Sequence, residues 1–145
     1  MGFKLTRQFD QMDCGPACIR MVANHYGKKY PLSYLRSVSC LSREGVSIAG
    51  IRFALTDIGI HSASYEVTLE QLRQCPLPAI LHWEQNHFVV LYKIRWSRLK
   101  KEWQYYVANP AYGKHTFTEK DFKSYWQNGE KGVAIALKPT ETFYR

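Results

Sequence analysis

Hydrophobic positions follow two rhythms along the chain. Over the first part they recur at spacings of three and four. Cys18, Met21, Val22 and Tyr26 follow Pro16, a residue suited to a first helical turn, and Gly27 offers a stop. This predicts a helix over Gly15 to Tyr26. A second, shorter helix is predicted from Leu32 to Cys40. A third runs from Ser47 to Asp57, where Ile48, Ile51, Leu55 and Ile58 form a stripe ending at Gly59. Beyond this the pattern shortens, and Ser62 to Tyr65, Ala79 to Trp83, His87 to Ile94, Trp103 to Ala108, His115 to Phe117 and Val133 to Leu137 read as strands. Two helix starts interrupt them: Thr68 with Gln71, a capping-box pattern, and Thr118 with Asp121 ahead of an aromatic run to Trp126. Helices first and strands afterwards predict an α+β fold, a helical half packed on an antiparallel sheet. No repeat, low-complexity tract or linker divides the chain, so one domain is expected over residues 1–138, with 139–145 as an exit tail.

Composition agrees with an ordinary globular domain: 145 residues, 46% hydrophobic and 22% charged. No apolar run approaches the roughly 18 residues of a membrane span, and Met1 to Asp10 lacks the apolar core of a signal peptide, so a soluble, cytoplasmic domain is expected. Cys14, Cys18, Cys40 and Cys75 form no CxxC pair, which predicts reduced thiols rather than disulfides. Cys14 and Cys18 share a helical face but lack a second ligand pair, so no metal is expected. The formal charge of +8 suits an anionic partner such as nucleic acid, an acidic peptide or an inner-leaflet surface. The densest basic run, Arg95, Arg98, Lys100 and Lys101, is interleaved with Trp96 and Trp103, a pattern that can stack on single strands. Its place between two strand-like segments makes a solvated hairpin tip the better reading, and no nucleic acid is expected.

Chemistry concentrates in the stretch Gln8-Phe-Asp-Gln-Met-Asp-Cys14-Gly-Pro-Ala-Cys, which sets a cysteine at the predicted mouth of the first helix. Helix-terminal N–H groups favour a thiolate there, whereas Asp10 and Asp13 oppose it, so a histidine partner is needed to hold an ion pair. A structural thiol is the competing reading. His87 opens a strand behind the polar Glu84-Gln85-Asn86, a good position for a base. His25, His61, His82 and His115 fall within or at the ends of ordinary elements. Asn109, before Pro110, ends the next strand and could lie beside His87 across an antiparallel pair; it is equally an ordinary turn former.

The runs Gln8 to Met21, Asn86-His87-Phe88-Val89-Val90 and Val107-Ala108-Asn109-Pro110-Ala111-Tyr112-Gly113 resemble the three motifs of the peptidase C39 family, the N-terminal domains of bacteriocin- and peptide-exporting ABC transporters. The start of the third helix, Gly45-Val-Ser-Ile, also fits. The resemblance implies a papain-like cysteine peptidase fold, with Cys14 as nucleophile, His87 as acid and base, Asn109 orienting His87, and Gln8 donating to the oxyanion. It departs from the family at one point: the third motif usually carries Asp before Pro, and an Asn can orient an imidazole but supplies no charge. The implied substrate is a ribosomal precursor whose leader ends in Gly-Gly, a bacteriocin or a signal peptide. The leader's upstream part would bind as an amphipathic helix. Tyr26, Tyr30, Tyr34 and Phe53 are candidates for that surface, though core positions are the first expectation for such side chains. The implied partners are the transmembrane and nucleotide-binding domains of a transporter at the cytoplasmic face of the bacterial inner membrane, reached through the 139–145 tail. No cofactor is implied in this domain, ATP belonging to the separate nucleotide-binding domain. Family members that only dock substrate typically lack the cysteine, which this chain keeps together with His87 and Gln8.

Overall fold

The computed structural model describes residues 2–39, 46–84 and 86–145. A 3-10 turn, Gln11–Asp13, leads directly into helix α1, Cys14–His25, followed by α2, Leu32–Val38, and α3, Ile48–Asp57. The strands are β1 (Ile60–Val67), β2 (Ala79–Trp83), β3 (His87–Ser97), β4 (Glu102–Asn109), β5 (Gly113–Thr118) and β6 (Gly132–Pro139). Helix α4 (Leu69–Leu72) lies between β1 and β2, α5 (Glu119–Trp126) between β5 and β6, and α6 (Glu141–Tyr144) follows β6. The strands form one sheet in the order β1-β6-β2-β3-β4-β5 with antiparallel pairing throughout. The α+β class expected from the change of rhythm is the one observed.

Strand alternation splits the core between the two faces of this sheet. On one face Ile80, Phe88, Val90, Ala108 and Ile135 pack with Cys18, Ile19, Val22, Ile51 and Leu55 of α1 and α3. On the other, Leu81, Val89, Leu91, Tyr105 and Val107 pack with Leu69 and Leu72 of α4 and with Phe122 and Trp126 of α5. Local caps set the helix starts. Thr68 Oγ1 accepts from the Gln71 N–H while the Gln71 side chain accepts from the Thr68 N–H, completing the capping box. Ser47 and Thr118 cap α3 and α5 in the simpler way.

The structure departs from the sequence expectations at several places. Cys14 is itself the first residue of α1, because Asp13 takes the N-cap position. Helix α2 ends at Val38, and Cys40 and Gly45 lie outside the described residues. Strand β3 continues to Ser97 because its outer half pairs with β4 in a long hairpin, bulged between Leu91 and Lys93. At the hairpin tip Leu99 is 92% exposed, while Trp96 packs edge-on against Trp103 with ring centroids 5.3 Å apart. Tyr34 and Phe53 are exposed, since they lie on the outer faces of α2 and α3, and Tyr26 and Tyr30 only flank the core.

The position-138 boundary falls inside β6, and the following residues are folded onto the domain. Thr140 donates to the Gly59 carbonyl through both its N–H (2.9 Å) and its hydroxyl (2.6 Å), and Phe143 is fully buried. Gly59 makes this possible, because its φ of +93° suits glycine and any Cβ there would meet the Phe143 backbone at 2.4 Å.

Candidate active site

Four separate segments converge at the ends of β3 and β4 beside the head of α1. Extending the Val90↔Ala108 register places Asn109 across from Val89, so His87 is its diagonal neighbour on the same face. The two side chains meet there, His87 Nε2 lying 2.7 Å from Asn109 Oδ1. The amide oxygen is identified by a second bond, since the backbone N–H of Ala111 donates to the same atom at 2.9 Å. A backbone N–H can only donate, so that atom is an acceptor and His87 Nε2 carries the proton. Nδ1 of a neutral His87 is thereby left free to accept one. Asn109 thus fills both roles open to it: it shapes the turn before β5, where Tyr112 N–H also donates to its carbonyl, and it holds the imidazole.

Cys14 reaches this site from the helical side. Helix α1 packs on β3, and the thiol lies where the N–H groups of Phe88, Gly15 and Cys14 itself support a negative sulfur. Burial works against them: at 3% exposure desolvation is the largest influence and pushes the thiol above its ordinary range, with the Asp13 charge adding to the rise. Cys18, one turn on, is fully buried and pushed up further. Among the described residues no group of three or more His, Cys, Asp and Glu side chains is placed to hold a metal ion. Gly15 lets the helix head approach its neighbour, because a Cβ there would lie 2.9 Å from that of Val46.

Gln8 is tethered by its backbone N–H to the Pro110 carbonyl, 3.1 Å away, which joins the segment ahead of α1 to the loop after Asn109. Its Oε1 is buried and accepts no hydrogen bond, the one such side-chain atom among the described residues. Gln8, His87 and Asn109 line a cleft of about 570 Å³ whose other walls include Trp83, Tyr112, Phe117 and Tyr125. Cys14 is not among the residues that line it. The turn before His87 is fixed from behind, Glu84 N–H donating to the Tyr125 carbonyl at 2.7 Å.

Gln8, His87 and Asn109 are therefore brought together around one cleft, with Cys14 against the residue that follows His87. The sequence reading missed Arg36, whose guanidinium grips Asp13, and the aromatic wall drawn from β2, β5 and α5. Once buried, the Asp13 carboxylate calls for a cation, but nothing in the sequence says which one. The aromatic wall left no local signal.

An oriented imidazole and a side-chain amide thus share one cleft near a thiol at a helix head, and residues 2–142 match the family described as the peptidase C39 family. The chain belongs to the peptidase C39 family. As a C39 domain it is a cysteine peptidase domain. It is similar to the colicin V secretion/processing ATP-binding protein CvaB of Escherichia coli, 32% identical over 136 residues that cover 94% of this chain and 18% of that protein. The chain thus spans about a fifth of the length of the curated relatives it matches. Among solved structures, it resembles the double-glycine-motif protease of an AMS/PCAT transporter in complex with the leader peptide, with 28% identity, a TM-score of 0.84, and coverage of 94% of this chain and 91% of that one. It also resembles the peptidase domain of Streptococcus ComA, a bi-functional ABC transporter involved in a quorum-sensing pathway, with 28% identity, a TM-score of 0.83, and coverage of 96% and 100%.

Proposed function

We propose that this C39 domain is an endopeptidase that cuts precursor peptides after the Gly-Gly end of their leaders, coupled to their export by an ABC transporter. The observation that carries the reading is the Nε2-protonated His87, fixed by Asn109 beside the N–H groups that line the Cys14 sulfur. In the reaction Cys14 attacks the carbonyl of the second glycine and its proton passes to His87 Nδ1. Gln8 and the Cys14 N–H donate to the developing oxyanion. His87 then protonates the leaving amine, and in the second half it activates the water that releases the leader from the acyl-enzyme. Asn109 keeps the ring turned through both halves. Two glycines suit the site because bulkier side chains would clash as the chain approaches a thiol with 3% exposure.

The chemistry uses the domain's own side chains and a backbone N–H, so no cofactor is assigned to this domain and ATP is assigned to a separate transporter domain. The partners are the precursor and the transporter's transmembrane and nucleotide-binding domains. No helix of the described residues is long and apolar enough to cross a membrane; on this reading the membrane-spanning domains are a separate part of the transporter, with this domain at its cytoplasmic face. Its relatives support this reading: CvaB is a secretion/processing protein, and the AMS/PCAT protease is seen in complex with a leader peptide. The buried, upward-shifted thiol favours a second reading, a docking module that binds leaders without cutting them. The test is a set of precursors in which the glycine pair is kept or replaced by leucines. Cleavage confined to the glycine forms supports the proposal. Equal cleavage of all of them points to a different amide hydrolase, and tight binding without cleavage supports the docking module.

A further inference from the structure

Asp13 lies directly before the nucleophile and its side chain is 0% exposed. A carboxylate there is doubly awkward: it is removed from water, and its charge disfavours a thiolate on the next residue. Arg36 of α2 answers both problems. Its Nε donates to Asp13 Oδ1 at 2.7 Å and its Nη2 to Oδ2 at 2.6 Å, a two-pronged pairing that a lysine cannot make. The same Oδ2 accepts from the N–H groups of Phe9 and Asp10, both at 3.3 Å. Phe9 is the residue next to Gln8, and Gln8 is tied on its other side to Pro110. One carboxylate therefore joins the Gln8 segment, the first residue of α1 and, through Arg36, a helix that contributes no residue to the cleft lining.

We infer that Arg36 and Asp13 are a positioning pair for this site. The guanidinium fixes Asp13, which holds Gln8 in register with the head of α1, and it compensates the carboxylate charge that would otherwise face the nucleophile. The inference rests on the peptidase reading for its kinetic consequences but not for its electrostatic ones. The titratable and charged groups around Cys14 are Asp13 from the preceding turn, Cys18 from the next turn of α1 and His87 ahead of Phe88 on β3; Asp10 faces Arg36 as well. Val46 and Ile51, which pack near Gly15, bring no charge.

The pair makes predictions of opposite sign, which a merely structural role does not. Arg36→Met leaves the carboxylate bare, and iodoacetamide labelling of Cys14, located by peptide mass, should slow roughly threefold or more at neutral pH as its pH midpoint rises. Asp13→Asn should move that midpoint down, yet kcat on a double-glycine precursor should fall about tenfold while KM changes less than about twofold, because the Gln8 amide is no longer held in place. Arg36→Lys keeps the charge without the fork; it should leave the labelling profile near that of the parent and still lower kcat. It also keeps the test open if Asp13→Asn fails to fold.

Shifts of the same sign in Arg36→Met and Asp13→Asn, or a parental kcat in Arg36→Lys and Asp13→Asn, would overturn the inference. If no protein, parent included, cuts the precursor while the labelling midpoints still move apart, the peptidase reading fails and the charge compensation stands.

Discussion

The His87–Asn109 contact assigns the proton to Nε2 because the Ala111 N–H leaves the facing amide atom no choice but to accept. Asn109→Ala removes that acceptor and frees the ring. Loss of an orienting partner is expected to lower kcat/KM by roughly 10- to 100-fold, which steady-state assays on a precursor would measure. Asn109→Asp restores the residue that the family resemblance expects. A carboxylate beside the ring stabilises the imidazolium that forms when His87 takes the Cys14 proton, so kcat/KM at neutral pH should rise. Gln8→Ala should act differently, costing about 100- to 1000-fold in kcat with little change in KM if the amide serves only the oxyanion. Cys14, His87 and Asn109 were legible as candidates because each stands at an element boundary that local rules predict, the head of a helix, the start of a strand and an Asn-Pro turn, whereas Gln8 entered through the family resemblance alone. Arg36 was not legible, since its role depends on a contact with Asp13 across 23 residues of chain.

Among the elements, those governed by neighbouring residues were the ones that could be read. The Thr68–Gln71 capping box is a three-residue pattern, and it forms as expected. Thr68→Ala should cost about 1 kcal/mol of stability, visible in a urea titration, with no effect on cleavage because α4 lies away from the cleft lining. Helix α6 was invisible for the opposite reason. Phe143 is buried only because the Gly59 turn, far away in sequence, leaves room for its backbone, and Thr140 anchors the approach. Phe143→Ala should cost about 3–5 kcal/mol by the same measurement. The outer end of β3, beyond Ile94, likewise exists through its hydrogen bonds to β4 rather than through burial, so the hydrophobic rhythm underestimated it.

For the whole molecule, the sheet supplies His87 and Asn109, α1 supplies Cys14, and the segment ahead of it supplies Gln8. On the proposed mechanism, activity therefore requires the helical and sheet halves to remain docked. Asp13 links that docking to pH. Arg36 and the Phe9 and Asp10 N–H groups hold its carboxyl below the usual carboxylate range, against the opposing effect of burial. A depressed folded-state pKa contributes stability above the unfolded value, near 4, and loses it as pH falls through the folded one. Urea midpoints should therefore drop on acidification below about pH 4, and less steeply in Asp13→Asn. The central claim is tested most directly by incubating the domain with a double-glycine precursor, alongside Cys14→Ala, and weighing the products. The account predicts a single cut after the glycine pair with the parent and an intact precursor with the variant; cleavage that survives the loss of Cys14 would contradict it.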